Sequence, residues 1–194
     1  NQYAGKALAS GCVYAVIDNP DYYIGERTIL VDNVLKTLQQ LAHHHRKVLG
    51  LPIIGITGTN GKTTTTTLLG EIMKAYQDDV FVVGNIGNPY TVAADLMTEH
   101  SIAVAEMSSF QLESIVSFRP NVSAILNYTP DHLNRHHTME AYIAAKENIA
   151  RNQTEDDYCV LNYEEPVMRK FAETLKCHVL FFSLSLIHIS EPTR

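Results

Sequence analysis

The chain has 194 residues, of which 45% are apolar and 19% charged, and its formal net charge is −6. These fractions are ordinary for a globular protein, and an acidic balance without a basic stripe excludes the class of nucleic-acid-binding proteins. No apolar run approaches the length of a membrane span, and the three cysteines lie too far apart for a metal site. We therefore expect a cytoplasmic protein with buried free thiols and without a nucleic-acid or membrane partner, and we expect a monomer.

Residues 1–50 predict a small α/β unit. Helical patterns cover residues 3–10 and 33–48, and short apolar strands cover residues 13–17 and 28–31. Apolar residues in the longer helix recur three and four positions apart, which is typical of a helix that packs one face against a core. We expect this unit to form a domain of its own.

Residues 51–69, with the sequence LPIIGITGTNGKTTTTTLL, carry the clearest functional motif. An apolar stretch of strand length leads into a glycine-punctuated turn, a lysine and a run of threonines, which is the layout of a phosphate-binding loop. The spacing departs from the usual Walker form because Ile56 stands where the first glycine is expected, and the shorter Thr-Gly-x-x-Gly-Lys-Thr pattern fits instead. The residues predicted to bind the nucleotide are Gly58, Thr59, Asn60, Gly61, Lys62, Thr63 and Thr64.

Three side chains in and near this loop have expected roles of their own. Lys62 is predicted to reach the terminal phosphates as a point charge, and the Thr63 hydroxyl is placed to hold Mg²⁺. Glu106 ends another apolar strand, where an acidic residue would complete the Mg²⁺ shell. The alternative for Glu106 is a carboxylate at a strand end that faces solvent.

Strands and helices alternate after the loop. Apolar strands cover residues 80–83, 102–105 and 122–126, and each ends in a cluster of polar residues. In parallel sheets with helices on both faces, ligands bind at the carboxyl ends of the strands. We therefore predict an α/β fold, in which a small α/β N-terminal domain precedes a central domain with the parallel sheet of P-loop NTPases.

The polar residues after Glu106 open the next predicted helix. Ser108, Ser109 and Gln111 stand at its start, and helix capping accounts for one of the two serines. The second serine and Gln111 suggest contacts to a ligand beside the predicted Mg²⁺ site.

A histidine cluster follows the strand at 122–126. His132 is a plausible metal ligand or phosphate contact, because it comes shortly after the strand end. His136 and His137 are predicted to lie on the surface.

Lys146 lies within a predicted helix that begins after Thr138, a suitable N-cap, and runs from residue 139 to about 151. Stepping by three and four residues along the apolar stripe of this helix places Lys146 on the buried face. A buried lysine must be paired, extend its amine to solvent, or be functional. The sequence pattern alone does not decide between a lysine whose amine extends to solvent and a lysine with a functional role.

Five motifs occur in one order along the chain: TGTNGKTTT, GNIGNP, EMSSFQLE, NYTPDHLNRH and YIAAKENIA. Together they resemble the Mur ligases of bacterial peptidoglycan synthesis over about residues 51–183. Within that family, SSFQLE and GNIG are most similar to the members that add D-glutamate to UDP-N-acetylmuramoyl-L-alanine. The resemblance implies ATP-driven amide formation through an acyl phosphate, which the amino group of D-glutamate attacks with release of ADP and phosphate.

The resemblance also implies roles for individual residues. Thr63 and Glu106 resemble the ligands of the Mg²⁺ that accompanies ATP, and His132 resembles a ligand of a second Mg²⁺. Lys146 resembles a lysine that these enzymes carbamylate, which turns a cation into a carboxylate-like group near that metal. We expect Lys62, His132 and Lys146 to be the catalytic residues.

The same resemblance implies a binding site for the UDP-N-acetylmuramoyl substrate. Asn85, Ser108 and Gln111 resemble contacts to that substrate, and Ser109 joins them as the second serine of the helix start. The remaining expected partner is the incoming amino acid.

Three features depart from the family pattern. Residues 1–50 are more similar to the N-terminal domain of the D-alanyl-D-alanine-adding Mur ligase, which implies a partial N-terminal domain for the UDP-linked substrate. The family has a longer central domain and a further domain for the amino acid, so we expect a truncated chain that is inactive alone. Residues 184–194, LSLIHISEPTR, continue no family motif and resemble translated adapter sequence. We expect this unrelated tail to be disordered or loosely packed.

Four alternatives remain open. Residues 1–50 favour the D-alanyl-D-alanine-adding ligase, and the missing family regions favour an ATP-binding fragment without turnover of its own. A generic P-loop kinase or hydrolase accounts for the loop but not for Lys146 or SSFQLE. Folate-type polyglutamate ligases share the loop and the lysine but not SSFQLE.

Overall fold

The structure, a computed structural model, describes residues 1–185, so most of the predicted tail lies outside the described residues. The chain divides into two compact units, Asn1–Val48 and a larger unit that begins at Leu49. No helix within the described range is both long and apolar enough to cross a membrane.

The first unit is a small α/β arrangement. Its elements in chain order are α1 (Ala4–Ala9), β1 (Ala15–Ile17), a 3-10 turn (Pro20–Tyr22), β2 (Thr28–Leu30) and α2 (Val34–Leu49). The two strands pair in parallel, and a small core forms around the buried side chains of Ala4, Ala15 and Ile17. Cys12 is exposed in this unit, so the expectation of a buried thiol is wrong there, whereas Cys159 and Cys177 of the second unit are buried free thiols.

The second unit contains a parallel sheet of six strands in the order β4-β5-β3-β6-β7-β8. The strands are β3 (Ile53–Thr57), β4 (Val80–Gly84), β5 (Ile102–Glu106), β6 (Val122–Ile125), β7 (Tyr158–Asn162) and β8 (His178–Phe182). The helices are α3 (Lys62–Lys74), α4 (Tyr90–Ala93), α5 (Ser109–Glu113), α6 (Leu133–His136), α7 (Met139–Glu147) and α8 (Pro166–Ala172). The predicted α/β fold with a parallel sheet is confirmed, and β7 and β8 extend it beyond the strands expected from the sequence.

Both faces of the sheet are covered because successive side chains of a strand point to opposite faces. Val104 packs with Ile56 and with Met73 of α3 on one face. Its neighbours Ala103 and Ala105 pack on the other face, in the cluster that contains Met97. The near-continuous apolar composition of these strands follows from this double burial.

The position of β3 brings the functional loops together. It pairs with β5 on one side and with β6 on the other. The chain adds β4 and β5 on the first side and then crosses over to add β6, β7 and β8 on the second. In open parallel sheets, such a switch point opens a crevice at the carboxyl ends of the strands. The loops after β3, β5 and β6 therefore meet at one edge of the sheet.

Candidate functional site

The loop after β3 turns sharply at two glycines with positive φ, Gly58 at +150° and Gly61 at +78°. A Cβ on Gly58 would lie 3.0 Å from the Cβ of Leu126, so a larger residue does not fit there without movement. Gly61 is the N-cap of α3, and no side chain in the described part of the chain caps this helix. The first N–H groups of α3 are therefore left for a ligand, which is the arrangement that binds anions.

Lys62, the first residue of α3, folds back over this loop. Its Nζ atom donates a hydrogen bond of 3.0 Å to the carbonyl of Thr59. The ammonium group thus lies over the loop backbone, where a phosphate group would meet both the cation and the N–H groups.

Asn127, at the end of β6, fastens the loop from the neighbouring strand. Its Oδ1 atom accepts hydrogen bonds from the backbone N–H of Thr59 at 3.0 Å and of Asn60 at 2.8 Å. Its Nδ2 atom donates to the carbonyl of Asn60 at 3.1 Å. The sequence marks Asn127 only as a polar strand end, and its role in holding the loop emerges from the adjacency of β3 and β6.

The carboxylate of Glu106 meets the start of α3, as predicted. Glu106 is only 2% exposed, and its Oε2 atom accepts a hydrogen bond of 2.8 Å from the Thr63 hydroxyl. The alternative of a carboxylate facing solvent is therefore wrong. Hard oxygen atoms are the ligands that Mg²⁺ prefers, so this hydroxyl–carboxylate pair fits that ion.

Asn85 joins the same cluster from the turn after β4. Its Nδ2 atom donates to the Oε1 atom of Glu106 at 3.0 Å, and its backbone N–H donates to the Glu106 carbonyl at 2.9 Å. A residue predicted to contact the substrate thus lies against the predicted metal carboxylate.

Lys146 is buried on α7, at 2% exposure, as its position in the apolar stripe predicts. Its Nζ atom donates a 2.7 Å hydrogen bond to the carbonyl of Gly58 and lies 4.6 Å from the centre of the Tyr142 ring. Burial lowers the pKa of Lys146 from 10.5 to about 8, the charge of Lys62 contributes a smaller lowering, and Asp131 opposes both. The lysine therefore does not extend to solvent but contacts the phosphate loop.

Tyr142 makes a second connection between α7 and the loop. Its hydroxyl lies 3.1 Å from the Thr59 hydroxyl, which also accepts a hydrogen bond of 3.0 Å from the backbone N–H of Thr129. The predicted N-cap of α7 is confirmed, because the Thr138 hydroxyl accepts from the N–H of Ala141 at 3.1 Å. The sequence placed Tyr142 in the apolar face without indicating that its hydroxyl bonds to the loop.

His132 occupies a more open position. It has a positive φ of +53° and precedes α6. The centre of its ring is 5.0 Å from that of the Phe110 ring, and its Nε2 atom is 3.4 Å from Asp131 Oδ2. Across residues 1–185, no hydrogen bond or ion pair joins His132 to Lys146. The structure thus does not bring these two predicted ligands of a second metal into direct contact.

Ser108 and Gln111 bond to each other at the start of α5. The Gln111 carbonyl oxygen Oε1 accepts from the backbone N–H of Ser108 at 2.9 Å, and the Ser108 hydroxyl accepts from the N–H of Gln111 at 3.3 Å. This reciprocal capping box satisfies two of the N–H groups at the helix start. Both residues are at least partly exposed, so either can exchange this partner for a ligand.

His136 is buried, at 6% exposure, so its predicted surface position is wrong, whereas His137 is exposed as predicted. A hydrogen bond of 3.0 Å joins His136 Nε2 to the Ser109 hydroxyl, and Nδ1 lies 3.0 Å from Glu113 Oε1. One imidazole thus bridges both ends of α5. Ser109, expected as a substrate contact, is buried and bonded to this ring.

Comparison with known families gives a match to the Mur ligase middle domain over residues 56–188. The UDP-N-acetylmuramoylalanine--D-glutamate ligase of Lachnoclostridium phytofermentans is 63% identical over 131 residues, covering 68% of this chain and 29% of that protein. The enzyme of the same name from Clostridioides difficile is 59% identical, covering 67% of this chain and 29% of that protein. The chain therefore spans less than a third of the length of these relatives.

Solved structures show the same fold at lower identity. The MurF ligase of Thermotoga maritima, crystallised in complex with ADP, has a TM-score of 0.73 and 23% identity, covering 94% of this chain and 44% of that one. MurF from Acinetobacter baumannii has a TM-score of 0.74 and 24% identity, covering 94% of this chain and 42% of that one. The family match, which covers more than half of the chain, confirms the resemblance drawn from the five motifs. The chain belongs to the Mur ligase family, over its middle domain.

Proposed function

We propose that this chain is the nucleotide-binding part of an ATP-dependent ligase that adds D-glutamate to UDP-N-acetylmuramoyl-L-alanine. The observation that carries the proposal is the pairing of the Thr63 hydroxyl with the buried Glu106 carboxylate, 2.8 Å apart, beside an uncapped helix start. Identities of 63% and 59% to D-glutamate ligases support the choice of amino acid and of muramoyl substrate.

The phosphate loop and its neighbours have the roles expected for an ATP site. The N–H groups of the loop, from Gly58 to Thr64, and the ammonium of Lys62 bind the phosphates. Thr63 and Glu106 would hold Mg²⁺, which supplies neutralisation of the charge that develops where two anions meet. Asn85, Ser108 and Gln111 would bind the muramoyl substrate, and Ser109, which is buried against His136, would complete this site by releasing that bond.

Lys146 and His132 are proposed as the remaining catalytic residues, near a second Mg²⁺. The lowered pKa of Lys146, about 8, leaves a share of the amine neutral near pH 7, and the neutral amine is the form that reacts with CO₂. Addition forms an N–C bond, and the nitrogen loses one proton to solvent. The product is a carbamate whose negative charge suits a metal.

The nucleotide site is tested by calorimetric titration of this chain with a non-hydrolysable ATP analogue, with and without Mg²⁺. We expect Mg²⁺-dependent binding in the unchanged chain and a loss of at least ~100-fold in Lys62→Ala, because a phosphate would lose its charged partner. Lys74→Ala is the matched control, since this lysine lies at the far end of the same helix in an exposed pair with Glu71. Equal binding by Lys62→Ala and the unchanged chain would contradict the assignment.

The choice of substrate is tested by binding of UDP-N-acetylmuramoyl-L-alanine and by ADP release on addition of D-glutamate. A second candidate is the D-alanyl-D-alanine-adding reaction, which the resemblance of residues 1–50 to the N-terminal domain of that ligase favours. It predicts a preference for the UDP-muramoyl substrate that already carries a peptide. Nucleotide binding without ADP release from either substrate would support an ATP-binding fragment without turnover of its own.

A further inference from the structure

We infer that Asn85 is a positioning residue for Glu106, through which the muramoyl-substrate site and the Mg²⁺–nucleotide site affect each other. This inference rests on the proposed function and adds a role for a side chain that is otherwise assigned to the substrate alone. Two hydrogen bonds reach the Glu106 carboxylate.

Each oxygen of that carboxylate has a donor from a different element. Thr63, on α3, donates to Oε2 at 2.8 Å, and Asn85, on the turn after β4, donates to Oε1 at 3.0 Å. Glu106 is 2% exposed, so these two side chains largely take the place of water at its carboxylate oxygens. A buried carboxylate oxygen that loses its partner is strongly disfavoured, and the carboxylate would rotate or shift to find another one.

The backbone of the same turn also holds Glu106. The N–H of Asn85 donates to the Glu106 carbonyl at 2.9 Å. Gly84 has a φ of +98°, and a Cβ on it would lie 2.2 Å from that carbonyl oxygen, so this close approach requires glycine. Any movement of the turn is therefore transmitted to Glu106.

The amide of Asn85 retains capacity for a second partner. A primary amide has two N–H donors and one acceptor oxygen, and within residues 1–185 the Asn85 side chain uses only one N–H, toward Glu106. The residue is exposed, so the other N–H and Oδ1 can bind a polar group of the muramoyl substrate. A substrate that orients this amide also orients Glu106, and thermodynamic linkage makes the effect reciprocal.

The first test measures the Mg²⁺ concentration that half-saturates binding of a non-hydrolysable ATP analogue to this chain. We expect Asn85→Ala to raise it about 10–150-fold, the equivalent of one lost hydrogen bond to a charged group, without changing analogue binding in the absence of Mg²⁺. Asn88→Ala is the matched control, because that amide lies in the same turn but donates to the Val82 carbonyl. Equal Mg²⁺ requirements for Asn85→Ala, Asn88→Ala and the unchanged chain would overturn the inference.

Asn85→Leu separates loss of the donor from loss of side-chain size. It keeps the approximate size of the side chain, removes the donor and adds no charge, so we expect a rise in the Mg²⁺ requirement similar to that of Asn85→Ala. An unchanged Mg²⁺ requirement would overturn the inference, because the N–H of the amide would then not position Glu106. Thermal unfolding without ligands identifies any general loss of stability.

The second test measures analogue affinity with and without UDP-N-acetylmuramoyl-L-alanine at fixed Mg²⁺. We expect the two affinities to differ about 5-fold or more in the unchanged chain and to converge in Asn85→Ala. Equal affinities in the unchanged chain would contradict the linkage. If the unchanged chain binds no analogue at all, the proposed function fails and the inference fails with it. If binding is normal and Asn85→Ala behaves like the unchanged chain, only the inference fails.

Discussion

The phosphate loop and the α5–His132 region, both parts of the candidate site, hold their polar groups in different ways. Thr59, Glu106 and Lys146 are buried, and each bonds to a residue far away in the sequence. Ser108, Gln111 and His132 are at least partly exposed and bond to residues of their own segments. The loop is therefore arranged before any ligand binds, whereas the α5 region must exchange internal hydrogen bonds for bonds to a ligand.

The largest effect is expected from breaking the support of the phosphate loop with Asn127→Ala. Three hydrogen bonds to Thr59 and Asn60 would be lost, whereas the 3.1 Å bond from the Thr59 N–H to the backbone carbonyl of Asn127 would remain. We expect binding of a non-hydrolysable ATP analogue to weaken about 30–300-fold and stability to fall by about 2–4 kcal/mol. Calorimetry and urea unfolding measure these two quantities. The control is Asn162→Ala, at the end of the neighbouring strand; a similar loss of binding in both variants would contradict a specific role for Asn127.

His136→Ala breaks the bridge across α5. It removes the bonds to Ser109 and Glu113 and leaves a cavity beside Phe110, so we expect a loss of about 2–3 kcal/mol in stability. We also expect binding of UDP-N-acetylmuramoyl-L-alanine to weaken more than binding of the ATP analogue. Asn134→Ala lies at an exposed position of α6, the helix that contains His136. It should change stability by no more than about 0.5 kcal/mol. If binding of the ATP analogue weakens as much as binding of UDP-N-acetylmuramoyl-L-alanine, the phosphate loop and the α5 region do not act independently.

Lys146→Met tests the burial of charge beside the loop, and its effect depends on pH. The pKa of Lys146 is about 8 in the folded chain and 10.5 ordinarily, so burial of the charged form destabilises the fold fully below pH 8 and progressively less as the pH rises to 10.5. This difference in pKa lowers the free energy of unfolding by on the order of 3 kcal/mol. The Lys146→Met variant recovers that free energy but loses the hydrogen bond to Gly58, which costs about 1–2 kcal/mol. We expect Lys146→Met to be more stable than the unchanged chain by about 1–2 kcal/mol at pH 7.

Urea unfolding at pH 7, 9 and 10.5 measures this difference. The advantage of Lys146→Met should shrink across that range, because the lysine of the unchanged chain becomes neutral in the unfolded state as well. Lys74→Met, at an exposed position, should show no such trend. An advantage that grows with pH would contradict the burial of charge.

Ser108→Ala has the smallest expected effect. It tests the α5 region, whose internal hydrogen bonds must rearrange when a ligand binds. Loss of one N-cap should lower stability by about 1 kcal/mol. Because Ser108 and Gln111 cap each other, Gln111→Ala in the same background should add little more. Additive effects in the double variant, measured by urea unfolding, would show that the two side chains act separately.

The residues of the loop region were the more predictable ones, for a physical reason. Glycine spacing fixes the turn, a strand of apolar residues fixes the position of Glu106, and the helical period fixes the burial of Lys146. Each of these is a local sequence pattern that determines where a residue lies on its own strand, turn or helix. The partners of these residues are set by strand order, so the sequence indicated neither the bonds of Asn127 to the loop nor the contact of Asn85 with Glu106.

The α5 region was less predictable because its helices are short. Helix α6 has four residues, too few for a periodicity that would separate buried His136 from exposed His137. The side chains of the outer strand β8 are exposed or half-buried, so its apolar–polar alternation is weak as well. In both cases burial depends on which element packs against the segment, and this is decided by tertiary structure.

The distance along the chain between bonded residues has a consequence for synthesis on the ribosome. Thr59 and Asn127 are 68 residues apart, and Gly58 and Lys146 are 88 residues apart. At a synthesis rate of about 5–20 residues per second, the loop emerges roughly 4–18 seconds before the lysine that contacts it. A nascent chain that ends before α7 would contain Asn127 but neither Tyr142 nor Lys146, so the loop would have only part of its support. The ability to hold a nucleotide should therefore arise late in translation.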